Sequence, residues 1–302
     1  MEIRQNVVMF VGKGGVGKTT MSAATALHFA SHGEKTLIIS TDPAPSLSDI
    51  FGKDVGDRET EITENLYAIE LSFDEVLRRW KEKFGPEIYD VISSFFDVDY
   101  DIVDYIGGAP GIDEEFMLDY IHGIFREGRY DRIVWDTAPA GHTMRLLNFP
   151  SKFIGHLEEA SGVYMKAFNY MERVKGLGSK KKKPVFGIIE GWKKLAEETA
   201  AFVKDDKTVG YIAVTIPEFL GVSQTKRTIE ELKDFGINVK HLIINNVIKK
   251  PDCDFHKRRM KMQEKYIREL SEAAPEITEI PMSADEIKGA EKLRAIGRVL
   301  FG

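Results

Sequence analysis

Short apolar runs alternate with amphipathic helical patterns along most of the chain. Six runs are too apolar for half-exposed strands, and each predicts a buried strand: NVVMFVG (6–12), KTLIIST (35–41), RYDRIVWDTAP (129–139), VGYIAVTIP (209–217), VKHLIINNV (239–247) and EITEIPM (276–282). Such runs are typical of a parallel sheet that is covered by helices on both faces. Helical patterns follow several of them, over residues 19–31, 223–234, 255–271 and 286–300. Because strands alternate with helices, we predict a doubly wound α/β domain with a mostly parallel sheet.

Two long segments interrupt this alternation. Residues 73–126 and 148–206 carry helix-like patterns without a convincing strand, and both segments are rich in large apolar side chains. We therefore predict a helical subdomain that is inserted into the chain in these two segments. The α/β domain would then consist of residues 1–72, 127–147 and 207–302.

The composition narrows the classes of function. With 302 residues, 43% of them hydrophobic, the chain can bury a sizeable core. Its formal net charge of −6 disfavours nucleic acid as a partner, because nucleic-acid binding depends on many Lys and Arg contacts to phosphates. No segment approaches the roughly 18 consecutive apolar residues of a membrane span, and the first strand leaves no room for a signal peptide. With a single cysteine, no internal disulfide is possible. We expect a soluble, cytoplasmic protein.

A phosphate-binding loop lies between the first predicted strand and the first predicted helix. The stretch GKGGVGKTT, residues 12–20, satisfies the pattern G-x-x-x-x-G-K-[ST]. Glycines let backbone N–H groups wrap around phosphates, and the helix that follows presents its positive end. We expect Lys18 to reach the β and γ phosphates of ATP and the Thr19 hydroxyl to ligate Mg²⁺. The predicted loop residues are Gly12, Gly14, Gly15, Val16, Gly17, Lys18, Thr19 and Thr20.

Two aspartates stand at the ends of predicted strands. Asp42 follows KTLIIST, and Asp136 ends RYDRIVWD. A phosphate-loop ATPase needs a carboxylate near its metal, and the carboxyl ends of strands open onto the ligand crevice of α/β proteins. Either aspartate alone could be a turn or helix-capping residue. Two of them at equivalent strand ends, in a chain with a phosphate loop, favour a functional role.

Further blocks of the sequence resemble one branch of a known ATPase family. GKGGVGKTT resembles the deviant Walker A loop, in which an extra lysine follows the first glycine. The other blocks resemble the arsenical-pump ATPases and the tail-anchored-protein targeting ATPases of the guided-entry pathway; they are STDPAPSLSD (40–49), DTAPAGHTMRLLNFP (136–150), IPEFL (216–220), INN (244–246) and PMSADEIKGAEKLRAIG (281–297). The resemblance covers nearly the whole chain.

The resemblance implies roles for five residues. Lys13 would reach across a homodimer to the phosphates that the other subunit binds, as an arginine finger does. Asp42 would polarise the attacking water, and Asp136 would hold Mg²⁺ through water. Asn245 and the backbone near Pro281 would hold the adenine.

Three functions remain open within this resemblance. We favour a homodimeric Mg-ATPase that captures and targets tail-anchored membrane proteins. It would shelter their hydrophobic transmembrane segments in a groove of the helical subdomain. It would be peripheral to the membrane when it meets a membrane receptor. Against a groove stands the fact that large apolar residues at helical spacing more often belong to a hydrophobic core than to a binding surface. An arsenite- or antimonite-pump ATPase ranks second, because that class is typically double-length and binds metalloids through several cysteines, whereas this chain has one. A membrane-cycling positional ATPase is the third.

The only cysteine belongs to a second candidate site. The targeting relatives carry C-x-x-C where this chain has Cys253-Asp-Phe-His256. Two chains would offer two thiolates and two imidazoles, which is an acceptable tetrahedral set for Zn²⁺ at the dimer interface. A motif that has lost its metal would look the same, so both interpretations stay open.

Overall fold

The chain divides into two compact units. The computed structural model describes residues 1–41, 46–94, 96–108, 112–137, 182–274 and 276–302, with only the backbone of 112–115 and 182–184. The sheet unit comprises Met1–Ser72, Ile124–Met144 and Lys204–Gly302, and the helical unit comprises Phe73–Gly123 and Arg145–Val203. Within the described residues no helix is long and apolar enough to cross a membrane.

One mostly parallel sheet organises the sheet unit. Its strands in the described residues are β1 (Val7–Val11), β2 (Thr36–Ser40), β3 (Thr60–Thr63), β4 (Leu66–Glu70), β5 (Arg132–Asp136), β6 (Val209–Thr215), β7 (Val239–Val247) and β8 (Glu276–Pro281). They lie in the order β3-β4-β2-β5-β1-β6-β7-β8. The β3–β4 pair is antiparallel, and every other pair is parallel. The predicted α/β class with a mostly parallel sheet is therefore confirmed.

The helices follow the strands as the sequence pattern predicts. In chain order the described helices are α1 (Lys18–Ser31), α2 (Leu47–Phe51), α3 (Phe73–Ser93), α4 (Ile102–Gly107), α5 (Ile112–Glu127), α6 (Lys182–Lys204), α7 (Phe219–Asp234), α8 (Asp254–Leu270) and α9 (Ala290–Phe301). The last helix begins four residues later than the amphipathic pattern indicates, because Gly289 at its start has a φ of 82°.

The sequence pattern missed two strands and their turn. Strand β3 has the sequence TEIT and is mostly polar, because it lies at the edge of the sheet with only Ile62 buried. Strand β4 follows at once, and Asn65 between them adopts a φ of 62°. Such a left-handed residue is typical of a tight hairpin turn, and asparagine tolerates it better than most residues do.

The central strands form the core of the sheet unit. Every residue of β1 is buried, and so is every residue of β2. Helix α9 packs on α1: the ring of Phe301 stacks on His28 with 3.8 Å between the ring centroids, and Leu293 and Leu300 are buried. The apolar face of the last helix is therefore used inside the fold.

Ion pairs link the helices of the helical unit. Glu75 of α3 is bound by Arg78 and Arg79 at 2.6 and 2.5 Å. Arg79 Nη1 also donates to the Tyr120 hydroxyl of α5 at 2.8 Å, and Lys83 pairs with the buried Asp119. The side chain of Trp80, also on α3, is buried.

Candidate active site

The phosphate loop lies at the carboxyl end of β1, in the middle of the sheet. A Cβ atom at Gly12 would lie 2.3 Å from the backbone oxygen of Val214, so no larger residue fits there. Gly17 has a φ of 99°, and a Cβ atom there would lie 2.4 Å from Asn245 Nδ2. The loop pattern thus corresponds to two close approaches that only glycine permits, one by a backbone oxygen at Gly12 and one by a side-chain amide at Gly17.

The two lysines of the loop lie in different environments. Lys18 is the first residue of α1, and its side chain is buried, with 5% of its surface exposed. Its Nζ donates to the backbone oxygen of Lys13 at 3.3 Å, which places the ammonium across the loop. A buried ammonium beside a helix N-terminus is an arrangement suited to phosphate oxygens. Lys13 is half-buried, and the predicted role of its side chain in a second subunit stays a prediction.

A hydroxyl and a carboxylate side chain are hydrogen-bonded to each other beside the loop. The Thr19 hydroxyl donates to Asp136 Oδ2 at 2.7 Å. Asp136 is 1% exposed and ends β5, which pairs with β1 so that Asp136 lies opposite Phe10. Thr137, the next residue, donates from Oγ1 to the Phe10 oxygen at 2.6 Å. Hydroxyl and carboxylate oxygens are ligands that Mg²⁺ prefers, and this pair fits a metal at the phosphates.

The end of β2 lies beside the same aspartate. The Thr41 N–H donates to the backbone oxygen of Asp136 at 3.3 Å. The Trp135 indole N–H donates to Thr41 Oγ1 at 3.2 Å. The next residue, Asp42, lies outside the described residues. Its predicted action on the attacking water stays a prediction, although the strand that leads to it ends at the candidate site.

Glu70 is a residue of this region that the sequence pattern did not single out. It ends β4, and its Oε1 accepts from the N–H groups of Ser46 and Leu47 at 2.5 and 3.0 Å. Its Oε2 accepts from the Ser48 hydroxyl at 3.0 Å. The carboxylate thereby fixes the start of α2, which lies within the block 40–49. A glutamate at a strand end could have indicated this role, but the sequence pattern did not predict strand β4.

The structure brings Asn245 to the phosphate loop. Its side chain is 7% exposed, and Nδ2 donates to the Val16 oxygen at 2.9 Å. Pro281 is the last residue of β8 and lies opposite Val247. The roles of Asn245 and Pro281 in holding adenine stay predictions.

The predicted zinc ligands lie at the start of α8. Cys253 is exposed and precedes the helix, and His256 lies in its first turn. The ligand atoms of Asp252, Cys253 and His256 all lie within 4.8 Å of one another. The hydrogen bond from His256 lowers the pKa of Asp252, and a second bond from Cys253 adds to this effect. The sequence had not indicated Asp252, although carboxylates are common partners of metal-binding imidazoles.

Comparisons with known proteins agree on one family. The family described as "Anion-transporting ATPase" matches residues 5–302. "ATPase ASNA1 homolog 1" of Paramecium tetraurelia is 34% identical over 301 residues, which cover 96% of this chain and 90% of that protein. "ATPase GET3" of Malassezia globosa is 31% identical, with 96% and 89% covered. "Putative arsenical pump-driving ATPase 2" of Aquifex aeolicus is 32% identical, with 97% and 98% covered.

Proposed function

This chain belongs to the anion-transporting ATPase family and is an ATP hydrolase, and on that premise we propose that it captures and targets tail-anchored membrane proteins as a homodimer. The resemblance of its sequence blocks to the targeting ATPases supports this choice within the family. So do relatives named ATPase ASNA1 homolog 1 and ATPase GET3.

In this proposal, side chains from three strand ends carry out hydrolysis: those of β1, β2 and β5. The loop N–H groups and Lys18 bind the phosphates of ATP. Thr19 would hold Mg²⁺ directly and Asp136 would hold it through water, and the metal would neutralise charge on the phosphates. Asp42 orients the attacking water. Lys13 of one subunit stabilises the charge that develops at the other subunit's phosphates.

The observation that carries the catalytic assignment is the bond between Thr19 and Asp136. Thr19→Ala removes the hydroxyl, whereas Thr19→Ser keeps it, so the two variants form a matched pair. We expect the alanine variant to lose about 100-fold or more in Mg-ATP hydrolysis and the serine variant less than about tenfold. Equal rates in both variants would remove Thr19 and its partner from the site.

Dimer formation is tested through Lys13. We expect Lys13→Ala to bind ATP normally while its hydrolysis rate falls by about 100-fold, since only the charge lent between subunits is lost. Sedimentation with ATP should show two chains for the parent protein. A Lys13→Ala variant that hydrolyses ATP at the parental rate while monomeric would contradict the homodimer.

The helical unit supplies apolar surface for clients. Its exposed large apolar side chains in the described residues are Phe73, Phe96, Tyr100, Tyr105 and Phe186. Large apolar side chains that face solvent are available to an apolar partner. A transmembrane helix is an occupant of matching chemistry. Capture would take place next to a membrane receptor, with the ATPase peripheral to the membrane.

Client capture is tested by co-expression. The variant Asp42→Asn should bind ATP without turning it over and so keep the client bound. We expect it to hold a tail-anchored client in the soluble fraction, whereas the same client without its transmembrane segment should not co-purify. A client that aggregates equally with and without the ATPase would contradict the targeting function.

The cysteine count ranks the arsenical-pump ATPase second. A pump-driving ATPase is supported by the Aquifex aeolicus relative of that name. Soft metalloids require several thiolates for tight binding, and this chain offers only Cys253. Arsenite or antimonite should therefore leave hydrolysis unchanged, and stimulation that Cys253→Ser abolishes would favour the pump.

Lipid-stimulated hydrolysis would instead favour the third candidate, a membrane-cycling positional ATPase. The apolar face of α9 is buried on α1 and so is not offered to a membrane.

Zinc at the dimer interface is part of this proposal. Thiolate, imidazole and carboxylate are all zinc ligands, so Asp252, Cys253 and His256 fit the metal chemically. Cys253 and His256 would bind it, and Asp252 would orient the imidazole of His256. Elemental analysis should find about one zinc per two chains, and Cys253→Ser should remove it. Much less zinc in the parent dimer would exclude the site.

A further inference from the structure

Four hydrogen bonds connect helix α8 to the phosphate loop. Gln263 of α8 is 3% exposed, and its amide spans the end of β7: Nε2 donates to the Asn246 oxygen at 2.9 Å, and Oε1 accepts from the Ile248 N–H at 2.8 Å. Asn245 Oδ1 accepts from the Asn246 N–H at 2.9 Å, and Asn245 Nδ2 donates to the Val16 oxygen at 2.9 Å.

The amide of Gln263 is fixed in one orientation. One end faces a carbonyl group and the other an N–H group, so rotating the amide by half a turn would break both bonds. A buried amide that lost these partners would destabilise the site, since unsatisfied buried polar groups are costly. Gln263 therefore sets the distance between α8 and the end of β7.

Asn246 turns the chain between the two contacts. Its φ is 60°, which lies in the left-handed region, and the pairing of β7 with β8 shifts register between Ile244 and Val247. The irregular backbone lets Asn246 present its oxygen to α8 while the neighbouring Asn245 side chain reaches the loop. Such local backbone conformations persist where surrounding contacts hold them.

Asn245 in turn fills space that the loop leaves open. Its Nδ2 would lie 2.4 Å from a Cβ atom at Gly17, so it packs directly against the backbone there. Val16 and Gly17 immediately precede Lys18, the first residue of α1. A shift of Asn245 would consequently displace the N–H groups that face the phosphates.

We propose that Gln263 is a positioning residue for nucleotide binding, which acts through Asn246 and Asn245 on the phosphate loop. The inference rests on the proposed function, because it assumes that ATP binds in the loop of residues 12–20. Gln263 contacts neither nucleotide nor metal. Its effect is to hold the loop ready for the triphosphate, so that the loop loses less conformational freedom when ATP binds.

The first experiment measures steady-state hydrolysis of Mg-ATP by the full chain. Gln263→Met keeps the size of the side chain but removes both amide bonds. We expect the KM for ATP to rise about tenfold and kcat to fall less than about threefold, because Lys18 and Thr19 remain on α1. Gln224→Met, at an exposed position of α7, is the matched control and should leave both constants unchanged.

A double-mutant cycle separates positioning from simple stabilisation. In an Asn245→Ala background, Gln263→Met should raise the KM by less than about twofold, because the connection is already broken. Effects that multiply independently would overturn the proposal. So would a parental KM in folded Gln263→Met.

Asn246 provides a test that does not depend on how Gln263→Met folds. Asn246→Gly accepts a positive φ and keeps both backbone bonds, so its KM should stay within about twofold of the parent. Asn246→Val strains the same backbone, and we expect its KM to rise about fivefold. Equal KM values in the two variants would overturn the proposal.

The control Lys18→Ala distinguishes an error in the positioning role of Gln263 from an error in the assignment of the phosphate site. If Lys18→Ala abolishes binding of a fluorescent ATP analogue while Gln263→Met and the parent bind it equally, the positioning role alone is wrong. If Lys18→Ala binds and hydrolyses ATP as the parent does, the phosphate site is wrong and the positioning role falls with it.

Discussion

Two buried polar groups of the sheet unit, Glu70 and Asn245, are held differently from two of the helical unit, Glu75 and Asp119. In the sheet unit, Glu70 and Asn245 bond to backbone atoms, which cannot rotate away. In the helical unit, Glu75 and Asp119 bond to the ends of arginine and lysine side chains. Backbone bonds fix one geometry, as phosphate chemistry requires. Pairs between long side chains can persist while helices slide past one another, which suits the proposed role of this unit in binding different clients.

The largest expected effect lies in the sheet unit. Gly12→Ala would bring a Cβ atom against the Val214 oxygen, and neither backbone can move without disturbing β1 or β6. We expect the free energy of unfolding to fall by about 3 to 5 kcal/mol and ATP hydrolysis to be lost. Urea unfolding and a hydrolysis assay measure both.

Gly15→Ala is the matched control for that change. Gly15 has a φ of 77°, but a Cβ atom there would meet nothing within 4 Å. Only the backbone strain remains, and we expect a loss of about 1 kcal/mol. If both alanine variants were equally stable, the close approach at Gly12 would not be what requires glycine.

A smaller effect is expected for the ion pairs of the helical unit. Arg78 first, and Arg79 second, lower the pKa of Glu75 to about 2. Its side chain is 10% exposed, so at pH 7 we expect Glu75→Gln to reduce the free energy of unfolding by about 2 kcal/mol. Glu82→Gln, which removes an exposed partner of Arg78, should cost less than about 0.5 kcal/mol. Equal losses would show that burial does not matter here.

The same carboxylate predicts a dependence on acid pH. Because its pKa is about 2 when folded and 4.5 in the reference state, the stabilisation is complete above pH 4.5 and is lost as the pH falls towards 2. The difference between the parent and Glu75→Gln should shrink to about 1 kcal/mol near pH 3 and vanish below pH 2. A difference that stays constant down to pH 2 would contradict the lowered pKa.

The smallest effect is expected at the surface of the sheet unit. Lys240 and Asp206 lie 3.3 Å apart, with side chains 47% and 62% exposed. Lys240→Ala should change the free energy of unfolding by less than about 0.5 kcal/mol, since water and salt screen such pairs. A larger loss, measured by urea unfolding, would mean that exposed pairs also shape this unit.

The sequence predicted the elements that carry a strong local pattern. Strands β1, β5 and β6 are apolar on both faces and were found close to their predicted bounds. Strand β3 was missed because it lies at the edge of the sheet and carries polar residues. Strand β4 lies inside that edge and is mostly buried, but its short sequence, LYAIE, ends in a glutamate and did not stand out as an apolar run. The pattern of apolar residues along the chain reflects which residues are buried, so it predicts a strand poorly where the strand is only half covered.

The site was predictable where its chemistry is local, and less so where it depends on register. Gly12, Lys18 and Thr19 stand in one motif, and Asp136 ends an obvious strand. The bond from Asn245 to Val16 joins residues 229 positions apart, and nothing near either residue indicates it. Gln263 resembles any helical glutamine until β7 and α8 are placed side by side.

The indole of Trp135 gives the sheet unit its own optical signal. It is 1% exposed and bonded to Thr41, at the strand end that leads to Asp42, while the other two tryptophans of the chain, Trp80 and Trp192, belong to the helical unit. Replacing those two with phenylalanine would leave one emitter beside the nucleotide crevice. Its fluorescence would then follow the opening of that crevice in real time, separately from any rearrangement among the helices.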